Sequence, residues 1–448
     1  MNPRLTGAHG LAAVLSATAY LGLAYAIPRS DFGLLLALYT VAFGGYALLL
    51  RRPLPLRYGL GLALILRLLW LPALPALSDD YFRFRWDGAL VAAGQNPYRL
   101  RPADRMAPAA DSTVSPLPPL SKQAARQLYT QLNSPHYYSV YPPVCQAAFG
   151  LASKLFPTRE QGFVLVLRLV LLMAEAGTAL LLLRLLPRFG LPDSRALTYL
   201  LNPLVIVELT GNLHFEALLI CGVLAALWLL AQNRRAMAAA ALAAAIATKL
   251  LPVLALPLLL RRLGWAQFLR YAGLTVVFLL VLFAPFVSAD LLRNLGRSLD
   301  LYFHKFEFNA SLYYLLRAVG YWHTGYNQIA RLGTFLALAT GLGALLLAAT
   351  EKRPTLATLP GTLLFTLTLY FALATTVHPW YITTLVALSS FTRYRFALVW
   401  SALIPLSYAA YQTSAYTENL SLVAAEYAVA GAVLLWEILR ANPEPRPE

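Results

Sequence analysis

Long runs of apolar residues alternate with short polar segments along almost the whole chain. Apolar runs of about 18 or more residues are typical of transmembrane helices. The runs are continuous, which argues against the alternating pattern of a closed β-barrel. We therefore predict an all-α polytopic membrane protein with apolar spans near 8–27, 32–50, 57–77, 162–186, 194–210, 213–231, 236–260, 266–287, 331–350, 357–375, 380–391, 395–411 and 420–440.

Arginine and lysine cluster in the short polar segments, as they do in cytoplasmic loops. All of these segments fall on one side if the apolar piece 142–156 does not cross the membrane and if 236–260 turns back near Lys249. Pro252 suits a break that makes two half-length helices. The basic segments then predict about 14 crossings with both termini inside. They lie at 51–57, 184–195, 234–235, 261–270, 352–353 and 393–395.

Composition supports the membrane class, since 12% of residues are charged against roughly 25% in soluble proteins. The net charge of +16 would suggest a nucleic-acid partner in a soluble chain. Here cytoplasmic loops account for it, so we expect no nucleic acid. Cys145 and Cys221 imply no disulfide framework.

The predicted topology gathers the conspicuous polar residues on the other face, outside the cytoplasm. We predict one domain over residues 1–448, with a first long loop at 78–141 and a second long loop at 288–330. The stretch 102–121 is expected to be irregular. The same face receives the turns at 211–216 and 378–381 and the tip at Lys249.

The acid pair Asp79 and Asp80 opens the first long loop in the segment SDDYFRFRWDG. One carboxylate could accept the proton of an acceptor hydroxyl. A solvated loop start, or ion pairs with Arg83 and Arg85, would explain the pair without catalysis. Paired acids alone are weak support for a metal site. Asp87, before Gly88, is either functional or a turn residue.

Lys249, at a break inside the membrane region, needs an anionic partner, and a lipid phosphate would supply one. Snorkelling to the interface is the alternative. His378 could donate to the same phosphate. His214 and Glu216 share this face, although a lone histidine near a helix end is often only a satisfied polar residue. The chain has no Gly-rich phosphate loop, so a soluble nucleotide donor is not indicated.

The order of these motifs resembles that of the GT-C membrane glycosyltransferases, and within them the bacterial polyprenyl-phosphomannose-dependent mannosyltransferases. The resemblance spans roughly 57–391, with two helices before the usual first one. The motifs that carry it are SDDYFRFRWDG at 78–88, Asn96-Pro97-Tyr98, VYPP at 140–143, LNPLVIVELTGNLHFEALLI at 201–220, TKLLPV at 248–253 and HPWY at 378–381.

The resemblance implies a GT-C-like bundle of about 12–14 transmembrane helices, with short helices in a large first periplasmic loop. It implies an inverting transfer of a sugar, mannose being expected, from a polyprenyl-phosphate donor to a lipid, glycan or protein acceptor. The enzyme would lie in the bacterial inner membrane, surrounded by membrane lipids, with its site facing the periplasm. No cofactor is required, although a divalent metal is compatible.

The resemblance places the catalytic acid at Asp79 or Asp80, and Asp80 is slightly favoured. Donor phosphate binding is assigned to Lys249, Arg83 and His378. The residues assigned to substrate binding are Trp86, Tyr141, His214, Glu216, Trp380 and Tyr381.

Two other functions fit parts of the pattern. Intramembrane charge and broken helices also mark transport paths, so a transporter or flippase of lipid-linked sugars is the main alternative. An acyl- or phosphotransferase is a third. The long loop that begins with the acid pair favours the glycosyltransferase, since transporters place their sites near the midplane.

Overall fold

The computed structural model describes residues 5–52, 54–107, 117–413 and 415–440. Within these ranges the secondary structure is helical, apart from one isolated bridge between Phe308 and Thr376. Residues 441–448, and residues 108–116 of the stretch 102–121 that was expected to be irregular, lie outside the described residues, and the start of that stretch forms a short helix at Pro102–Met106. The rest confirms the all-α class.

The α-helices of the first half of the described chain are α1 Gly7–Tyr25, α2 Phe32–Arg51, α3 Leu56–Leu68, α4 Asp80–Ala92, α5 Pro102–Met106, α6 Lys122–Thr130, α7 Pro143–Leu155, α8 Glu160–Arg188, α9 Ala196–Leu200, α10 Pro203–Val205 and α11 Glu216–Ala231. Those of the second half are α12 Arg235–Ile246, α13 Ala255–Leu263, α14 Trp265–Phe283, α15 Leu291–His304, α16 Leu312–Thr324, α17 Ile329–Thr350, α18 Leu359–Leu373, α19 Ile382–Ser389, α20 Phe396–Leu403 and α21 Leu420–Leu439. Short 3₁₀ turns lie at Asp193–Arg195, Leu251–Leu254, Ala284–Phe286, Pro379–Tyr381 and Ile404–Tyr411, and a π-helix at Ile206–Gly211.

Six helices of the described chain are long and apolar enough to cross a membrane: α1, α2, α8, α14 with its 3₁₀ extension, α17 and α21. A bent pair, Pro203–Gly211 with Glu216–Ala231, makes a seventh if it is one span. The predicted count of 12–14 is higher because it includes helices that are shorter than a single span. Those that are still apolar are Arg235–Ile246, Leu359–Leu373 and Phe396–Tyr411.

Three of the predicted apolar segments are interrupted close to prolines. The span 57–77 is helical only to Leu68, and Pro72 and Pro75 lie in the irregular stretch that leads to the acid pair. The span 194–210 is cut at Asn202, whose side chain caps α10 ahead of Pro203. The segment 236–260 is interrupted between α12 and α13 as predicted, with Lys249 in the gap and Pro252 in the following 3₁₀ turn.

A buried arginine ties the polar breaks together. Arg168 of α8 donates to the carbonyl oxygens of Leu71 and Ala73 at 2.9 and 2.6 Å, and to those of Thr210 and Gly211 at 2.8 and 3.0 Å. These carbonyls have lost helical partners, and a buried carbonyl left unpaired is costly. Arg168 therefore fixes the approach to the acid pair against the bend at 206–215.

The first long loop folds around α4, which packs against α7. Gly88 makes this possible, since a Cβ there would lie 2.5 Å from the carbonyl oxygen of Phe149. Of the two explanations considered for Asp87, the turn is therefore excluded, because Asp87 and Gly88 both lie inside α4. Close packing between helices, and not a change of chain direction, explains this glycine.

Candidate active site

The acid pair lies at the start of α4. Asp79 occupies the N-cap position and Asp80 the first helical position. The amide of Asn133, in the same long loop, donates to Oδ1 of both carboxylates at 3.0 Å. The positive end of the helix dipole favours negative charge here. The two acids are thus held together as one unit.

The two carboxylates differ in their other partners. Oδ2 of Asp79 forms an ion pair with Arg29, which lies between α1 and α2, at 2.9 Å. The predicted alternative partners are occupied elsewhere: Arg83 pairs with Asp87 at 2.9 Å, and Arg85 with Glu160 at 3.4 Å. Neither of these arginines neutralises the acid pair.

Asp80 has a perturbed acidity. Burial, together with the negative charge of Asp79, raises the pKa of Asp80 to about 6, while Asn133 and Lys249 act in the opposite direction. At neutral pH this carboxyl is therefore ionised, yet a stronger base than an ordinary aspartate. A pKa close to the working pH suits a general base.

Lys249 projects from the gap between α12 and α13. Its ammonium forms an ion pair with Glu216, the first residue of α11. It also lies 3.9 Å from the centre of the Tyr381 ring, in a cation–π contact. Its side chain is 34% exposed, whereas Glu216 is 4% exposed, so the cation can still meet a ligand.

Two histidines enclose an indole next to this lysine. The ring of Trp380 stacks on His214 at 3.6 Å and on His378 at 4.4 Å between centroids. Burial first, and Lys249 second, lower the pKa of His378 to about 3. His378 is therefore neutral at pH 7. It can donate one N–H to a phosphate, but it adds no positive charge there.

Glu208, in the π-helix at the bend, organises the residues behind this stack. It accepts hydrogen bonds from Tyr39 of α2 at 3.0 Å and Tyr408 at 2.7 Å. Asn212 donates to the other oxygen at 3.1 Å and accepts from the amide of Leu77 at 3.2 Å. π-Helical turns are frequent at functional sites. This one couples the turn 211–216 to the chain leading into the acid pair.

The backbone at Leu213 is strained. This buried residue has φ of 63°, a conformation that costs a leucine on the order of 1–3 kcal/mol. It stands between Asn212, which contacts Glu208, and His214, which stacks on Trp380. The strain is maintained by contacts that place the histidine.

The structure brings most of the predicted site residues together. One group of site residues is close enough to interact electrostatically: Asp79, Asp80, Glu216, Lys249 and Tyr381. The charges of Lys249 and Glu216 act on the acidity of Asp80, and the charge of Asp80 acts on that of Tyr381. His214, Trp380 and His378 adjoin it. The helices that carry these residues meet although the sequence separates them by up to three hundred positions.

Three other predicted site residues are engaged in contacts on or against α4. Arg83 is buried and donates to the carbonyls of Ser134 and Tyr137 as well as to Asp87, so its assignment to the donor phosphate stays a prediction that these contacts do not favour. Trp86 is fully buried in a cluster with Leu117, Leu120 and Leu128. Tyr141 packs edge-on against Phe84 and Phe149. Their contacts favour shaping the loop over binding substrate.

Sequence reasoning missed Arg29, Asn133 and Asn212 as members of the site. Arg29 sits in a short connection with no motif around it, and Asn133 stands alone in a polar stretch. Glu208 was identifiable from the sequence, since an acid inside an apolar run is costly in a membrane and marks a candidate functional site.

In the described part of the chain, no group of three or more His, Cys, Asp or Glu residues is arranged to hold a metal ion. The acid pair offers two carboxylates, and its oxygens already accept from Asn133 and Arg29.

A comparison with curated protein sequences gives no match. A comparison with protein families matches residues 6–265 to the MptA_B family, described as alpha-(1->6)-mannopyranosyltransferase, N-terminal domain. The match covers more than half of the 448 residues. It begins before α1, so the two first helices lie inside the family pattern and are not additions to it. The chain therefore belongs to the alpha-(1->6)-mannopyranosyltransferase family, a family of glycosyltransferases.

Proposed function

We propose that this protein is an inverting mannosyltransferase that takes mannose from a polyprenyl-phosphate donor and adds it to a glycan or lipid acceptor. The observation that carries the proposal is that Asp80, whose pKa is raised to about 6, lies within electrostatic range of the partly exposed cation of Lys249. Family membership supplies the sugar and the reaction class.

The reaction balances without an added reagent. Asp80 accepts the proton of the acceptor hydroxyl, and the acceptor oxygen forms a bond to the anomeric carbon. The bond from that carbon to the phosphate oxygen breaks, and its electron pair leaves on the phosphate. Because phosphate is a good leaving group, the site needs a base and a cation more than it needs a strong acid.

Lys249 supports the growing negative charge on the leaving phosphate. The partly exposed His378 and Tyr381 lie beside it and can donate hydrogen bonds to the remaining phosphate oxygens. Glu216 forms an ion pair with Lys249, and Trp380 stacks on His378, so a sugar bound beside the phosphate would meet a carboxylate and an aromatic face. Apolar helix surfaces would hold the polyprenyl chain.

We also propose that the site opens to the extracytoplasmic side of a bacterial inner membrane. The charge pattern of the sequence predicts that the basic segments lie at the opposite ends of the helices from the acid pair. Cytoplasmic loops carry that positive excess. Residues 1–448 would form one catalytic unit, with the first long loop supplying the base.

The direct test incubates the purified protein with radiolabelled polyprenyl-phosphomannose and an α-mannoside acceptor. We expect labelled acceptor of inverted anomeric configuration relative to the donor, and polyprenyl phosphate as the second product. GDP-mannose serves as the matched control donor and should give no transfer. Transfer from GDP-mannose alone, or movement of intact donor across vesicles without transfer, would contradict the proposal.

The raised pKa of Asp80 predicts a pH dependence. The base works only when ionised, so kcat/KM should rise with pH through about 6 and fall about tenfold per unit below that value. The donor phosphodiester does not titrate in this range. In Asp79→Asn the acidic limb of the pH profile should move to lower pH, because the neighbouring charge that raises the pKa of Asp80 is gone. A flat profile between pH 5 and 7 would exclude Asp80 as the base.

A further inference from the structure

The loop between α1 and α2 reaches into the acid pair. Arg29 of this loop donates to Oδ2 of Asp79 at 2.9 Å and to the hydroxyl of Tyr416 at 3.0 Å. Its side chain is 23% exposed. The arginine therefore joins an N-terminal hairpin, the first long loop and the segment before α21 at one point.

Two aromatic rings hold the guanidinium in place. It lies 4.7 Å from the centre of the Tyr411 ring and 5.8 Å from that of Tyr416, in cation–π range. Tyr411 ends the 3₁₀ helix that also carries Tyr408, which donates to Glu208. Arg29 is thus fixed by the same framework that fixes the turn 211–216.

The ion pair breaks the equivalence of the two acids. Both carboxylates accept from Asn133, but only Asp79 has the direct contact with Arg29. Among the described residues no cation forms an ion pair with Asp80. Two adjacent carboxylates without a counter-charge would compete for one proton.

Charged and titratable groups face this pair from several elements. The cations are Arg29 and, at longer range, Lys249. Glu216 adds negative charge. Three phenols lie within electrostatic range of these acids: Tyr81, Tyr381 and Tyr411. Tyr81 is also within range of Glu160 and Arg85. The hydroxyl of Tyr416 accepts a hydrogen bond from Arg29. Arg29 is the cation in direct contact with Asp79.

We propose that Arg29 is a positioning residue that holds the Asp79 carboxylate in an ion pair and thereby leaves Asp80 as the carboxylate that takes the acceptor's proton. The inference rests on the proposed function. It assigns different roles to two adjacent acids that the sequence cannot distinguish. It also makes the α1–α2 hairpin part of the active site and not only a membrane anchor.

The test compares Arg29→Gln, Arg29→Lys, Asp79→Asn and the double variant Arg29→Gln/Asp79→Asn. Asp31→Asn is the matched control in the same loop, since asparagine caps a helix as well as aspartate does and Asp31 caps α2. Two readouts are used. One is the pH profile of transfer; the other is the pH-dependent reaction of protonated carboxyls with dicyclohexylcarbodiimide, located by mass spectrometry.

In the wild type and Asp31→Asn, carbodiimide should modify Asp80 as the pH falls through about 6, with little reaction at Asp79. Arg29→Gln should make Asp79 reactive over the same range. It should also move the acid limb upward by on the order of one pH unit, so that transfer falls about fivefold at pH 6 and less than twofold at pH 8. Arg29→Lys should resemble the wild type.

The double variant should behave as Asp79→Asn does, because Arg29 acts through Asp79. An Arg29→Gln effect of full size in the Asp79→Asn background would overturn the proposal, and so would an unchanged labelling pattern in Arg29→Gln. A wild type without any transfer would sink the proposed function, whereas carbodiimide labelling would still test the Arg29–Asp79 pairing independently.

Discussion

Asp80→Asn should lower mannosyl transfer by a factor of about 10²–10⁴, the usual contribution of a general base. Asparagine keeps the size of the side chain and can still contact Asn133, but it cannot accept the acceptor's proton. The effect should fall on kcat, with the donor bound as in the wild type. Radiolabelled donor transfer and donor binding to the purified variant measure the two quantities separately.

The controls for this variant come from the same helix. Removal of a partly desolvated charge should leave thermal stability unchanged or raised, so unfolding does not explain the loss. Asp79→Asn should lose less activity than Asp80→Asn, because Asp79 does not take the proton. Full turnover in Asp80→Asn, or a larger loss in Asp79→Asn, would reverse the assignment.

Lys249→Gln should lower turnover by about 10²–10³-fold, as removal of a single group that stabilises developing charge does. The leaving phosphate would lose a partly exposed cation whose charge also acts on Asp80. Donor affinity should fall as well, since the phosphate is charged before and after the reaction. Steady-state kinetics with varied donor concentration resolve both effects.

Lys249→Gln also removes the ion-pair partner of Glu216, and a double variant controls for this loss. Without Lys249, the buried Glu216 is left without its ion-pair partner, which costs on the order of 3–5 kcal/mol. The double variant Lys249→Gln/Glu216→Gln has no orphaned charge and should recover thermal stability without recovering turnover. If the double variant regains wild-type transfer, Lys249 acts on folding and not on phosphate.

The apolar runs of the sequence predict the membrane helices well where no proline or polar residue interrupts the run. α1, α2, α8, α14, α17 and α21 each begin and end within a few residues of their predicted spans. Where prolines and polar residues interrupt an apolar run, hydrophobicity does not reveal the break. The segment 194–210 therefore reads as one span, although Asn202 and Glu208 cut it into short turns.

The candidate site was predictable to the extent that its residues are polar in apolar surroundings. Asp80, Lys249, Glu216 and His378 stand out for that reason, and the structure places them near one another. Arg83 and Trp86 follow the acid pair closely in sequence, but tertiary contacts engage them elsewhere. Arg83 donates to Asp87 and to the carbonyls of Ser134 and Tyr137. Trp86 packs in the apolar cluster of the first long loop. Arg29 reaches the site only through the packing of α1 and α2, which no local pattern records.

The ion pair between Lys249 and Glu216 also bears on selectivity. Phospholipid headgroups outnumber any sugar donor in a membrane, and a lysine without an ion-pair partner would bind their phosphates. A lysine already matched by a carboxylate presents little net charge to a passing headgroup. A ligand must then bring further contacts, such as a sugar ring against Trp380, before its phosphate can compete for the ammonium. The resting pair would thus act as a filter that keeps the site free of abundant anionic lipids.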